Sequence, residues 1–397
     1  MRWECRNNGK RYRIRAALAP STAAAFAAGL FLSAACPGFA QETRQFSTKK
    51  GTVLVETLAT GLEHPWAVEF LPDGALIVTE RPGRLRILRD GKLSKAVEGV
   101  PEVVARGQGG LLDVALDPQF ATNRTLYLSY AARGDGGYGT VVARAILAED
   151  ERRLADVQEI FRMNKFTGTT HHFGSRIAID RDGSLFFGIG DRGDDERAQD
   201  PRDHAGSILH INADGSIPAS NPYRGATEGL AEIWSIGHRN PQGITFDPAN
   251  GTLLTVEHGS RGGDEINNPL PGRNYGWPVI TYGRDYSGAE IGEGTAKEGM
   301  EQPLYYWDPS IAPGAIAVYR GKMFPEWDGN LLVAALKYQL LTRLERDEGG
   351  AIVGEERLFD GEFGRLRDVI VAPDGALLMV TDEENGAVLR VSKAPTE

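Results

Sequence analysis

Apolar and polar positions along the chain fall into one recurring unit. An apolar run leads into a turn built on Asp, Pro or Gly, and a second apolar run follows that often ends in an acid or a glycine. The first copy reads from His64 to Glu80. The second joins Gly110–Pro118 to Thr125–Tyr130, the third spans Ser175–Asp191, and the fourth joins Gln242–Pro248 to Gly251–Glu257. A weaker fifth pairs Ala315–Tyr319 with Gly329–Ala335, and the sixth runs from Arg367 to Asp382. Strand-length apolar runs between turn signals predict an all-β chain. The copies recur roughly every 45–75 residues, room for a four-stranded blade with insertions. Arg84–Leu88 and Val388–Ser392 alternate polar and apolar, as half-buried outer strands do. Six copies predict a six-bladed β-propeller, one domain over residues 41–397. The spare strand Thr52–Glu56 is placed to close the ring beside the last blade. A β-sandwich would have shorter repeats that do not resemble one another.

Composition agrees with many tight turns, with 49 glycines and 21 prolines and no collagen period. Apolar residues at 41% and charged residues at 25% exclude a disordered chain. With 54 acids against 44 bases the chain is net acidic, which argues against a nucleic-acid binder. The N-terminus changes the picture further. Six cations against Glu4 precede a small-residue apolar run, Ala16–Phe39, that closes on Gly38-Phe39-Ala40. This is a secretory signal with cleavage expected after Ala40, and its core is too short and small-residue-rich for a membrane anchor. Cys5 and Cys36 both lie in it, so the mature chain has no disulfide, thiolate site or cysteine nucleophile. The mature protein is expected to be periplasmic or secreted, net −15 from 38 bases and 53 acids, without stable membrane insertion. Lys10-Arg11 is only a weak twin-arginine signal, which leaves the export route open.

Loops between the blades of a propeller meet at one end of the axis, and the unusual residues of this chain sit at those loops. They are Arg106-Gly-Gln-Gly-Gly-Leu-Leu112, His171-His-Phe-Gly-Ser-Arg176, Gly237-His-Arg-Asn-Pro-Gln-Gly243, and Glu257-His-Gly-Ser-Arg-Gly-Gly-Asp-Glu-Ile-Asn267 with Asn274-Tyr-Gly-Trp-Pro278. A fifth pairs Lys337 with Arg365-Leu-Arg367. Each alone reads as a capping histidine, a loop tie or a solvated charge. Together a histidine, three arginines, a lysine and a glutamine converging in an acidic protein predict a cationic pocket for a small polyanion. Carbonyl-rich turns near Gly259 and the acids Asp264 and Glu265 point to a hard cation such as calcium. Zinc lacks a His-x-x-x-His or His-Glu-x-x-His spacing.

Through these motifs, across about residues 50–393, the chain resembles the soluble quinoprotein glucose/sorbosone dehydrogenases, and within them the periplasmic aldose sugar dehydrogenases. The resemblance implies a propeller holding pyrroloquinoline quinone (PQQ) and Ca2+. Residue by residue, it implies His172 as catalytic base and Gln108 as a quinone contact, with Arg239 and Asn240 holding the reactive quinone end. Lys337, Arg365 and Arg367 would bind the cofactor's carboxylates. The carbonyls of Gly259 and Ser260 would hold the cofactor's calcium, Ser260 standing where proline is common. Glu265 and Tyr275 would form a second, structural calcium site. His171 departs from the aspartate that glucose-oxidising members carry before the base, so sugar preference does not carry over. The implied reaction is aldose oxidation at C1 to the lactone, with electrons passed to an external acceptor, by a protein expected to act as a monomer. A calcium-dependent propeller lactonase or esterase and a non-catalytic binding propeller are the rival readings, but neither uses all of these residues. His171 and His172, read as neighbours on an extended segment, are expected to point to opposite sides.

Overall fold

The computed structural model describes residues 43–395, which form six antiparallel sheets around an axis. Blade 1 is Pro65–Phe70, Leu76–Glu80, Arg84–Arg89 and Lys92–Leu93, and blade 2 is Leu111–Leu116, Thr125–Gly134, Gly137–Leu147 and Leu154–Arg162. Blade 3 is Ile177–Ile179, Leu185–Ile189, Ser207–Ile211 and Ile233–Ile236, and blade 4 is Pro241–Phe246, Leu253–Glu257, Asp264–Asn267 and Tyr305–Trp307. Blade 5 is Pro313–Val318, Leu331–Ala335, Leu340–Arg346 and Ile352–Leu358, and blade 6 begins with Leu366–Val371, Leu377–Thr381 and Gly386–Lys393. Each sequence repeat is the inner two strands of one blade. The innermost strands pack one on the next around the axis, and Leu366–Val371 packs back on Pro65–Phe70. This is the six-bladed propeller that the repeats predict.

The ring is closed by the chain's own start. Gly51–Leu62 pairs antiparallel with Gly386–Lys393 as the fourth strand of blade 6, and Thr43–Thr48 adds a fifth. Val53 and Val55 bury their side chains in the same cluster as Leu389 and Val391, so early and late residues share one core.

The second strand of a blade is covered on both faces by neighbouring blades, which is why Leu76–Glu80, Leu185–Ile189 and Leu377–Thr381 are buried throughout. The turns before these strands repeat a single chemistry. Asp73, Asp182 and Asp374 each accept the N–H two residues on, and the glycine between sits at φ +86° to +88°.

Apolar clusters fill the gaps between successive blades. On the axis, Arg176 bonds Asp113 at 3.0 Å and Asp368 at 3.1 Å and lies 4.1 Å over the Trp66 ring. Beneath it a cavity of about 340 Å³ is lined by the inner strands of all six blades, with Glu69 among the lining residues. Burial pushes the Glu69 carboxyl up to about 7 and Asp113 up to about 6. Among the described residues no helix is long and apolar enough to cross a membrane. The leader predicted at 1–40 lies outside the described residues.

Candidate active site

The segment before the inner strand of blade 3 is a tight bend. His172, Gly174 and Ser175 all have positive φ, at 56°, 62° and 92°. A Cβ on Gly174 would stand 2.4 Å from the Gly188 carbonyl oxygen, so only glycine lets the bend lie on the neighbouring strand. The bend overturns the expectation that His171 and His172 point apart. Left-handed backbone at His172 breaks the strand alternation, and the two rings meet edge to face with centroids 5.8 Å apart. Arg192, buried over the Phe173 ring at 3.7 Å, fixes the segment by donating to the carbonyls of His171 and Thr169.

His172 is the better anchored of the pair. Its N–H donates to Gln108 Oε1 at 2.8 Å, and its Nδ1 lies 2.6 Å from Asp191 Oδ1. The Asp191 carboxylate also accepts from Gly193 N at 2.7 Å and Trp277 Nε1 at 2.9 Å. Burial works to raise the Asp191 carboxyl. The hydrogen bond and charge of His172, the Gly193 N–H and Arg239 outweigh it and hold the group below the usual carboxylate range. A carboxylate on Nδ1 selects the Nδ1–H tautomer and leaves Nε2 as the atom that can accept a proton.

From Asp191 the network runs on to blade 4. The Asp191 N–H donates to the Arg239 carbonyl at 2.8 Å, and Arg239 NH1 donates to the Gly259 carbonyl at 2.5 Å. The guanidinium sits 5.2 Å from the Trp277 ring centroid, and its Nε is buried without a partner. Asn240 is fully buried and spends its amide on Gln242 (3.1 Å) and His258 (3.4 Å). Gln242 in turn accepts from Arg367 NH1 at 3.0 Å. His258 donates Nε2–H to the Pro313 carbonyl, and burial pushes its pKa down to about 3, so it is neutral.

Two connected spaces open beside this network, sharing Gln108, Arg365 and Arg367. The larger, about 660 Å³, is also lined by His64, Arg81, Asp382, Glu383 and Glu384. The smaller, about 80 Å³, reaches inward to Trp66, Phe173, Gln242 and His258. The larger pocket differs from the purely cationic one expected, since Arg81, Arg365 and Arg367 face Asp382, Glu383 and Glu384. Asp382 takes Arg367 by two bonds, at 2.5 and 3.2 Å, and His64 at 2.8 Å. Burial would raise Asp382, but Arg367 and then His64 hold it far below the usual range. Arg365 is the exposed member of the pair. Both arginines reach one space although the strand register slips between Leu366 and Asp368, so simple alternation is not what aligns them. Lys337 is exposed, 5.2 Å from the Tyr338 ring, and makes no salt bridge among the described residues.

The predicted cation positions divide. Gly259 admits no side chain, because a Cβ would stand 2.1 Å from the Gly262 carbonyl oxygen. The Ser260 carbonyl accepts the Arg284 N–H at 2.9 Å. Both carbonyls keep a second lone pair for a cation. Asp264 is not a free ligand. Its carboxylate takes four donors, Gly259 N, Ser310 Oγ, Ile311 N and Ala312 N, at 2.7–2.9 Å. Glu265 faces Glu257 across the strands, and burial followed by that like charge pushes it up to about 8. The Tyr275 hydroxyl is committed to the turn at Asn268 and Leu270, which leaves its carbonyl as the atom for a cation. No three side chains of His, Cys, Asp or Glu among the described residues are grouped to hold a metal.

A model of the glucose/sorbosone dehydrogenase family matches residues 62–390. The protein belongs to the glucose/sorbosone dehydrogenase family. It is 42% identical over 346 residues to aldose sugar dehydrogenase YliI of Escherichia coli, a match covering 86% of this chain and 93% of that protein. The crystal structure of the soluble E. coli aldose sugar dehydrogenase in its apo form matches with a TM-score of 0.84, covering 86% of this chain and 100% of that one. The PQQ-bound aldose sugar dehydrogenase of Streptomyces coelicolor, 29% identical, matches with a TM-score of 0.70 over 87% of this chain and 100% of that one.

In this member of the family the motif loops locate the site but leave out the acids behind them. Asp191, Glu257 and Asp382 lie at or just past the end of the second strand of a blade, and each receives a site cation or histidine. Glu80 holds the same place in blade 1, buried against Arg84 and Arg86. The signal was in the repeat, whose second run so often ends in an acid.

Proposed function

We propose that the protein is a PQQ- and calcium-dependent aldose sugar dehydrogenase that oxidises the sugar at C1 to the lactone and passes electrons to an external acceptor. The observation that carries this reading is the His172–Asp191 pair at 2.6 Å, set beside Arg239 and a pocket lined by Arg365 and Arg367. The residues present fit a planar polyanion. The Arg239 Nε lacks a partner, and the pocket offers Arg81, Arg365 and Arg367, of which Arg365 is exposed. Arg365, Arg367 and Lys337 would hold the cofactor's carboxylates, with Gln108 and Arg239 toward its quinone edge and Asn240 acting through Gln242 and His258. The Gly259 and Ser260 carbonyls would hold its calcium, and Glu265 with the Tyr275 carbonyl a second ion. When bound, the quinone with its calcium supplies the two-electron sink for the C1 hydrogen of the sugar.

The chain's own residues do the rest. His172 Nε2 takes the proton of the C1 hydroxyl, a role that typically contributes about 10²–10⁴-fold. Asp191 fixes the ring and stabilises the imidazolium as it forms. Arg239, anchored by Glu257 and by Asp191, presents a fixed positive charge where negative charge develops. His171, exposed beside the base, is placed to meet the sugar. The reading includes export, since the leader at 1–40 would deliver the chain to a compartment that supplies calcium. It is tested by adding PQQ and calcium to the apo protein. The cofactor spectrum should change on binding, and a dye should be reduced when an aldose is added. A protein inert to both with every aldose tried refutes the proposal.

A further inference from the structure

The gap between blades 3 and 4 differs from the other five. Its apolar cluster is small, made of Ala178, Phe186, Ile208, Ile244 and Leu253. In blade 4, Leu254, Val256 and Ile266 turn to blade 5. Strand alternation therefore turns Thr255, Glu257, Glu265 and Asn267 to blade 3. Thr255 lies opposite Asn267 and Glu257 opposite Glu265, so two carboxylates face each other across neighbouring strands. Like charges directly opposite are unfavourable. The Asn267 amide lies between them, its Nδ2 donating to Glu257 at 3.0 Å and Glu265 at 3.2 Å. Asn267 Oδ1 and Thr255 Oγ1 are buried with no partner. Buried polar atoms seldom stay unpaired without a ligand to satisfy them.

We propose that Asn267 Oδ1 is a ligand of the cation held by Glu265, and that Asn267, through Glu257, couples occupancy of that site to the cofactor site. The inference rests on the reading of Glu265 as a cation ligand. An all-oxygen set of carboxylate, amide and backbone carbonyl suits calcium, and the described residues offer no softer cluster. The route of coupling is short. Glu257 accepts from Asn267 Nδ2, from His238 Nδ1 at 2.8 Å and from Arg239 N at 2.7 Å. His238 is stacked on Tyr275, whose carbonyl belongs to the same proposed cation site. A cation between the strands offsets the repulsion of Glu265 on Glu257 and holds the Asn267 amide. Glu257 then keeps its second oxygen on the Arg239 backbone. Coupling between sites is reciprocal, so cofactor and cation should raise each other's affinity by the same factor, expected at about 5–20-fold.

Two readouts on the mature protein test this. One is the calcium dependence of melting without cofactor. The other is the Kd for PQQ, titrated by absorbance at saturating calcium. Glu265→Gln and Asn267→Ala should both lose the calcium response and both bind PQQ about 5–20-fold more weakly, although neither lines the cofactor pocket. Asn267→Asp, which keeps an oxygen but loses the amide donor to Glu257, should keep the calcium response and still bind PQQ more weakly. This variant serves also if Asn267→Ala does not fold. An intact calcium response in Asn267→Ala removes Asn267 from the ligands. Lost calcium responses with unchanged PQQ affinity refute the coupling while leaving the cation site standing. An intact response in Glu265→Gln overturns the cation reading and this inference together.

Discussion

Replacing Asp191 by Asn tests the arrangement around the proposed base with a change of one atom. The carboxylate accepts three hydrogen bonds, from His172 Nδ1 at 2.6 Å and Gly193 N at 2.7 Å on one oxygen, and from Trp277 Nε1 at 2.9 Å on the other. Asparagine has one oxygen and one NH2. With its oxygen toward His172 and Gly193, the NH2 meets the Trp277 N–H, and the charge that stabilises the imidazolium is gone. A charge-assisted bond is worth about 1.5–3 kcal/mol, or roughly 10–150-fold in rate. With the amide reversed, the NH2 meets His172 Nδ1 and the Gly193 N–H. The His172 proton then moves to Nε2, where it blocks the base, and the loss approaches about 10⁴-fold. Turnover at saturating PQQ and calcium should therefore fall by between about 10-fold and about 10⁴-fold, according to which way the amide sits. The Kd for PQQ should hardly move, because the Asp191 backbone still donates to the Arg239 carbonyl. Steady-state dye reduction together with a PQQ titration separates the two quantities. Near-normal turnover in Asp191→Asn would refute this role, and a loss confined to PQQ affinity would make Asp191 a binding residue.

Three further outcomes follow from the geometry. Arg365→Ala and Arg367→Ala should each weaken PQQ binding by about 10–100-fold, but only Arg367→Ala should also lower the melting temperature, since it strands the buried Asp382; equal melting of the two would contradict that pairing. His171→Ala should change relative KM among aldoses and leave turnover largely intact, measured with a panel of sugars; a dead His171→Ala enzyme would exchange the roles of the two histidines. The Glu69 carboxyl is pushed by burial to about 7, above its ordinary value of 4.5, so its contribution to stability is complete below the ordinary value and is lost as pH rises through 7. Glu69→Gln should thus raise the melting temperature more at pH 8 than at pH 5, and an equal change at both would show that the group does not titrate in that range.

The parts of the fold that the sequence makes legible are those with a double signal. The inner two strands of each blade pair an apolar run with an Asp-Gly or Asp-Pro turn, and Thr52–Glu56 stands out as an apolar strand with no partner in its own repeat. The outermost strands carry no such signal. Lys92–Leu93 and Tyr305–Trp307 are too short to show a period. In the site, the motif loops locate His172, Arg239, Gly259 and Arg367, and the network joins the last of them to the rest through Gln242. The His171–His172 orientation is not legible, because a left-handed φ at a non-glycine residue is imposed by the packing of Gly174 and Ser175 beside it. The charge of the pocket is misjudged for a related reason. The motifs list the arginines, while Asp382, Glu383 and Glu384 reach the same space from the end of another strand.

The most direct test of the account is single-turnover oxidation of a C1-deuterated aldose by the protein reconstituted with PQQ and calcium, compared with His172→Ala. The account predicts that the wild-type protein reduces its cofactor once on adding sugar. It predicts that His172→Ala binds PQQ and calcium normally but reduces the cofactor about 10²–10⁴-fold more slowly, with a primary isotope effect. Normal reduction rates in His172→Ala, or no reduction of bound cofactor by any aldose in the wild-type protein, would contradict it.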